Sequence, residues 1–238
     1  MAGAHVFPGG VVDDVDREAF GEEFQARYPD CAYRIAAVRE LFEETGILLI
    51  TPSSALEALS PDALQESRNA VHQDASAFET LCNTLNCRPA IERMLPWSRW
   101  ITPPQEKRRF DARFYIAILA NTPDARHDDE ETISSCWLSP DDALESAEGG
   151  EIFLPPPTWF TFRELRALPN QGALKNALAK GRDMRAIEPH ILPGEGELIL
   201  VMQGDIEHPE APGNERNRIV LKDGQYTLHI PEQDKEER

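Results

Sequence analysis

Apolar residues recur at helical spacing over residues 33–45, where Ile35, Val38 and Phe42 share one side, and Gly46 follows where a helix C-cap is expected. Pro29 and Asp30 supply the start signal for that helix. Ahead of it, residues 5–16 read as a short strand, a Pro8-Gly9-Gly10 turn and an acidic loop. Residues 17–28 read as a short helix with Ala19, Phe20 and Phe24 on one side, and Ile47 to Ile50 as a buried strand. From Ser53 to Ala90 the pattern is helical, punctuated by Pro52, Pro61 and Pro89. Trp97 to Ile101, Phe110 to Leu119 and residues 132–138 are predicted strands. Ser139-Pro140-Asp141-Asp142 is a helix N-terminus with proline at an early position. After three prolines at 155–157, residues 158–187 are mostly helical, and the tail alternates as strands over 198–202, 219–221 and 226–230. Interleaved helices and strands predict an α/β or α+β fold, and no repeat of fixed period is present.

Composition narrows the function classes. The 238 residues carry 24 basic and 42 acidic side chains, a formal charge of −18, with a pI near 4.7. Such a chain lacks the basic face by which a nucleic-acid binder releases counterions, although local basic clusters remain free to hold phosphates. An apolar content of 41% is ample for a core. No apolar run approaches the ~20 residues that cross a bilayer, and the first residues show no secretory pattern. The C-terminus, Asp-Lys-Glu-Glu-Arg, is neither a peroxisomal nor an ER-retention signal. Cysteines 31, 82, 87 and 136 lack metal-site spacing and read as ordinary reduced thiols.

The chemistry concentrates on the helix over 33–45. Glu40, Glu43 and Glu44 stand at i, i+3 and i+4, so their carboxylates project from one face, while Ile35, Val38 and Phe42 project from another. Like charges so placed destabilise a helix by roughly 0.2–0.5 kcal/mol per pair. A hard divalent cation, which joins carboxylates to phosphate oxygens, offsets that cost. A solvated acidic face is the plainer reading of three such glutamates taken alone. Arg39, at i, i+4 from Glu43, is placed to hold one carboxylate still.

The longer run from Arg39 to Ile47 is rarer. It resembles the second half of the signature of the Nudix hydrolases, Arg-Glu-U-x-Glu-Glu-x-Gly-U, with U a bulky aliphatic residue. The first half, Gly-x5-Glu, is met by Gly10 with Asp16 at the acid position, behind Phe7-Pro8-Gly9. Asp16 and Arg39 lie 23 positions apart, so the box is interrupted by an extra 15 residues. That interruption is similar to the acyl-coenzyme A diphosphatase branch, the Nudix 19 type. Segments over 1–7, 33–50, 97–103, 108–111 and 152–157 extend the resemblance along most of the chain.

The resemblance implies an α/β Nudix α/β/α sandwich with a mixed sheet, organised as one domain over residues 1–238. The split box occupies 10–47, a helical insertion about 53–95, and a C-terminal extension about 155–238. It also implies metal-dependent cleavage of the diphosphate of coenzyme A and acyl-coenzyme A to 3′-phospho-AMP and (acyl-)4′-phosphopantetheine. On this chain Glu40 and Glu44 become the principal Mg²⁺ or Mn²⁺ ligands, with Glu43 assisting. Asp16, one methylene shorter than the usual glutamate, becomes a further metal-linked acid. Glu40 and Glu131, the latter in a loop entering a strand, are the candidate bases, with Glu43 grouped beside them as a catalytic acid.

Lys107, Arg108 and Arg109 form the densest basic cluster and would hold the substrate's additional 3′-phosphate, with a solvated basic loop as the plainer alternative. Gly9 and Gly10 are expected to turn the backbone tightly at the substrate, and Arg39 and Gly46 to support the helix. Trp97 and Trp100 are expected in the core rather than stacked on adenine, and His5 in a structural role. Family members open with a strand ahead of the stretch at which this chain starts, so an incomplete sheet edge or a replacement strand from the tail is expected. The expected partner is a small molecule, with no nucleic acid and no membrane; oligomeric state is not legible. An intracellular location is expected, in peroxisome or mitochondrion by resemblance alone. Two other functions fit the same residues: hydrolysis of another nucleoside diphosphate derivative such as ADP-ribose or NADH, and a catalytically weak binding protein that keeps the fold.

Overall fold

A computed structural model describes residues 4–119 and 135–231. They form two compact units, one mainly helical, built from Pro8–Leu95 and Tyr115–Trp137, and one containing most of the strands.

In the helical unit, α1 (Asp14–Glu18) and α2 (Glu22–Gln25) precede the 15-residue α3 (Cys31–Thr45). The single helix expected over 17–28 is thus two, because Phe20 and Gly21 both take left-handed backbone conformations. The Phe20 N–H leaves the helical ladder and donates to the Glu79 carboxylate at 2.6 Å. Phe20 and Phe24 still meet, with ring centroids 5.3 Å apart. Helix α3 starts at its expected signal, but the Asp30 side chain does not cap it. It instead accepts from Arg34 Nε at 2.8 Å and from the Tyr115 hydroxyl at 2.9 Å. Gly46 ends α3 in the left-handed conformation, its N–H donating to Phe42 O.

Behind α3 the expected strand over Ile47 to Ile50 shrinks to β1 (Ile50–Thr51), paired antiparallel with β2 (Arg88–Pro89). Ile47, Leu48 and Leu49 are buried without belonging to a strand, although the Leu49 carbonyl accepts from Ala90 N at 3.0 Å beside the ladder. The helical stretch after Ser53 resolves into a 3-10 turn, α4 (Pro61–Gln73) and α5 (Ala77–Thr84). Ile35, Val38 and Phe42 pack with Val71, Phe78, Cys82 and Ile91 in one core.

Strand β3 (Leu95–Ile101) pairs with β4 (Asp111–Ile116). In the second unit Ser139 caps α6 (Pro140–Glu148) as expected, its hydroxyl accepting from Asp142 N at 3.1 Å. The long helical stretch after the prolines is α7 (Pro156–Arg166) and α8 (Gln171–Ala179). Then β5 (His190–Leu192), β6 (Glu197–Val201), β7 (Arg218–Lys222) and β8 (Gln225–His229) form an antiparallel meander in that order. The last three match the expected tail strands within one or two residues. Of the strand expected over 132–138, residues 132–134 lie outside the described residues, and 135–138 are irregular.

Trp100, Leu144, Trp159, Phe160, Leu200 and Ile219 form this unit's core. The β6–β7 connection is organised by Asp205, which is fully buried. Its carboxylate accepts from Arg218 Nη2 and Nε at 2.5 and 2.8 Å, and from the N–H groups of Glu207 and Asn217 at 2.8 and 2.7 Å. Burial favours the neutral acid, yet these donors outweigh it and hold the carboxyl below its ordinary range. The architecture is α/β. The β1–β2 and β5–β8 ladders are antiparallel, and among the described residues isolated parallel bridges occur, such as Trp100 with Ile187.

Candidate active site

Helix α3 buries more than its apolar stripe. Arg39, only 4% exposed, lies under the acidic face and serves three carboxylates at once. Its Nε and Nη2 fork onto Asp16 at 3.0 and 2.8 Å, and Nη1 reaches Glu40 Oε1 at 3.0 Å and Glu43 Oε1 at 2.6 Å. Nη2 also donates to the Val11 carbonyl at 3.1 Å. A buried guanidinium needs this degree of satisfaction, since an unpaired charge in that setting is strongly destabilising. Burial works against the Arg39 charge, but the hydrogen bonds and attraction of Asp16, Glu43 and Glu40 outweigh it and raise its pKa further.

Asp16 therefore stands in a different setting from the metal-linked one expected. It is 2% exposed, and both its oxygens accept from Arg39. One of them also accepts from the Asp13 N–H at 2.8 Å, completing a capping box at the start of α1. It thus shares Arg39 with Glu40 and Glu43.

The glycine loop meets the same acids. The Gly9 N–H donates to Glu44 Oε2 at 3.2 Å. At Gly10 an added Cβ would fall 2.3 Å from Glu40 Oε1, so the missing side chain leaves the space that the Glu40 carboxylate fills. Neither glycine adopts a left-handed backbone. At Gly9 and Gly10 the backbone approaches the Glu44 and Glu40 carboxylates closely.

Burial raises the Glu40 carboxyl above its ordinary pKa; Arg39 opposes this and the neighbouring Glu43 adds to it. Burial likewise raises Glu43, against its hydrogen bond from Arg39. A second cation relieves both. Glu40 Oε2 and Glu43 Oε2 carry no hydrogen bond among the described residues, and the donors are hard oxygens. The residues fit a divalent cation of the Mg²⁺ type. Among the described residues no three acidic, histidine or cysteine side chains converge as a complete cage.

The other expected residues are distributed as follows. Glu131 lies outside the described residues. Lys107, Arg108 and Arg109 are exposed on the loop between β3 and β4, in the unit other than that of α3. Arg109 pairs with Glu188, and the Arg108 guanidinium lies 4.9 Å from the Phe110 ring centre. Trp97 and Trp100 are buried, Trp97 under the Arg182 guanidinium and Trp100 edge-on to Phe160. His5 donates its backbone N–H to Phe153 O at 2.8 Å.

Two residues escaped the sequence reading. Arg34 bonds the carbonyls of Ile91 and Met94 at 3.2 and 2.9 Å. Arg68 of α4, 3% exposed, donates from Nε to the Glu43 carbonyl at 2.7 Å. The readable signal for Arg68 was a charge at helical spacing between Leu64 and Val71, on an otherwise apolar face.

An acidic helix clamped by one buried arginine and met by a glycine loop defines a class, that of the metal-dependent diphosphate hydrolases. Comparison with known proteins gives the family. The family described as the NUDT19 Nudix domain matches residues 18–165. With more than half of its length in that match, the chain belongs to the NUDT19 branch of the Nudix hydrolases, and is a Nudix-type pyrophosphohydrolase. Its relatives include acyl-coenzyme A diphosphatase NUDT19 of Homo sapiens, 33% identical over 257 residues, covering 86% of this chain and 68% of the human protein. The protein of the same name from Gallus gallus is 32% identical, covering 89% and 70% respectively. A crystal structure of a NUDIX hydrolase from Alicyclobacillus acidocaldarius superposes with a TM-score of 0.61 at 26% identity, covering 74% of this chain and 81% of that one. No helix among the described residues is long and apolar enough to cross a membrane.

Proposed function

We propose that this chain cleaves the diphosphate of coenzyme A and acyl-coenzyme A, releasing 3′-phospho-AMP and (acyl-)4′-phosphopantetheine. The substrate is the one named for the human and chicken relatives. The observation that carries the chemistry is the Arg39 clamp, which gathers Glu40 and Glu43 on a helix turn adjoining Glu44. Water adds its oxygen to one phosphorus, the bridging P–O bond breaks, and the bridging oxygen departs on the other phosphate.

Glu40 and Glu44, with Glu43 beside them, would hold the cation. When bound, Mg²⁺ or Mn²⁺ screens the diphosphate, polarises the breaking bond and makes water more acidic. Arg39 keeps Glu40 and Glu43 oriented, and Glu40 Oε2 is available to take the proton lost by water.

The protein is to be incubated with Mg²⁺ and, separately, coenzyme A, acetyl-coenzyme A, ADP-ribose and NADH, with products separated by chromatography. Release of 3′-phospho-AMP from the coenzyme A substrates is the expected result. Cleavage of ADP-ribose or NADH alone would replace the substrate. Binding without any turnover would reduce the chain to a binding protein. Glu44→Gln is expected to remain folded and to lose at least about 100-fold in turnover; unchanged turnover would remove Glu44 from the cation site.

A further inference from the structure

The carbonyls of the last helical turn have no partner within the helix, and the backbone there is free to fray unless something outside binds it. In α3 that turn carries Glu43 and Glu44. Three devices close it. Gly46 donates to Phe42 O. The Thr45 hydroxyl donates to Leu41 O at 2.5 Å and accepts from Ile47 N at 3.2 Å. The third comes from another element: Arg68, in the middle of α4, donates to Glu43 O at 2.7 Å in a buried hydrogen bond. Its guanidinium also covers Gly46, where an added Cβ would lie 3.8 Å from Nη1. A cation at this point complements the negative end of the helix dipole.

Arg39 and Arg68 thus divide the labour. Arg39 holds the carboxylates of Glu40 and Glu43, and Arg68 holds the peptide backbone from which Glu43 and Glu44 project. Helix α4 belongs to the stretch read from sequence as a helical insertion, outside the acidic motif. We propose that Arg68 is a positioning residue for the cation site, and that the insertion is a strut for the catalytic turn. This rests on the reading of Glu40 and Glu44 as the cation-holding pair.

The position of a carboxylate follows the backbone that bears it. Loosening the Glu43 carbonyl therefore lets the Glu44 oxygens wander relative to Glu40. The expected signature is weaker cation binding and slower turnover with the substrate KM nearly unchanged, since Arg68 is buried against Glu43 and Gly46. Partners of this kind, one step removed from a metal, typically carry about 10–100-fold in metal affinity or activity.

The test uses Arg68→Gln and Arg68→Lys in the full chain. Mn²⁺ affinity is read by electron paramagnetic resonance of the free ion without substrate, and kcat and KM are read with acetyl-coenzyme A and Mg²⁺. Arg68→Gln is expected to weaken Mn²⁺ binding about tenfold or more and to lower kcat by a similar factor. Arg68→Lys, which keeps a donor and a charge, is expected to recover part of both. If Arg68→Gln does not fold, Arg68→Lys alone decides, by the same two readouts. Wild-type Mn²⁺ affinity and kcat in the folded variants, even with a lowered melting temperature, would overturn the proposal. A wild-type protein that neither binds Mn²⁺ nor cleaves acetyl-coenzyme A would overturn the functional reading instead, so the two failures are distinguishable.

Discussion

Arg39 stands in an unequal arrangement: one guanidinium among Asp16, Glu40 and Glu43, with Glu44 one residue beyond. The cluster carries surplus negative charge, and that has a cost that can be measured. The Glu40 carboxyl is raised by burial first, with Glu43 adding to the effect against Arg39. A carboxyl raised in the folded state stabilises below its unfolded pKa and loses that contribution as pH rises through its folded pKa. In EDTA, wild-type stability should therefore fall as pH climbs above about 4, relative to Glu40→Gln. At pH 7 the metal-free variant is expected to melt higher, by about 2–4 °C for each kcal/mol of relieved repulsion. Its turnover should drop by at least about 100-fold. Scanning calorimetry at pH 4 and pH 7 checks the sign; a variant that melts lower at pH 7 would show that the cluster is not strained.

At the scale of elements, the glycine loop and α3 are fitted to each other through the absence of a side chain. In Gly10→Ala the new methyl would meet the end of a flexible glutamate, which swings away at little cost in stability. The displaced group is Glu40. The expected outcome is a melting temperature within about 2 °C of wild type with turnover reduced about 10–100-fold, assayed with Mg²⁺ and acetyl-coenzyme A. Much of this element was legible in advance. The spacing of Ile35, Val38 and Phe42, the start at Asp30 and the glycine stop at 46 gave α3 nearly to the residue. The reason for the glycines was not legible, because a close approach between positions 10 and 40 leaves no trace in local pattern. Asp16 was seen as an acid in the right place, but its commitment to Arg39 is a tertiary fact. The break at Phe20 was also hidden, since the hydrogen bond that captures its N–H comes from Glu79, 59 positions away.

At the scale of the whole molecule, the strand-rich unit has a buried ionic anchor of its own. The Asp205–Arg218 pair is buried and multiply hydrogen-bonded within the strand-rich unit. Burial raises the Asp205 carboxyl, but its donors prevail and lower it, so its contribution is complete above the unfolded pKa of about 3.9. That contribution is lost as pH falls through the lower folded value. Asp205→Asn should cost up to about 3 kcal/mol at pH 7 by urea denaturation, because Arg218 would stay buried with only the more exposed Glu207 carboxylate, 2.7 Å away, as its charge partner. The variant's stability should also decline less than wild type's on acidification below pH 4. The tail strands that frame this pair were readable from simple alternation, whereas the pair itself joins a connection residue to a strand residue and has no periodic signature.

The fork between Arg39 and Asp16 closes a motif whose two halves are 23 positions apart. A guanidinium reads only the distance between atoms, not the length of chain that delivers them. The interval is therefore free to differ in length, and here it holds the end of α1, all of α2 and the first turns of α3. Recognition rules that demand a fixed gap would pass over such enzymes, while a rule that asks for a buried arginine bridging two separated acids would retrieve them.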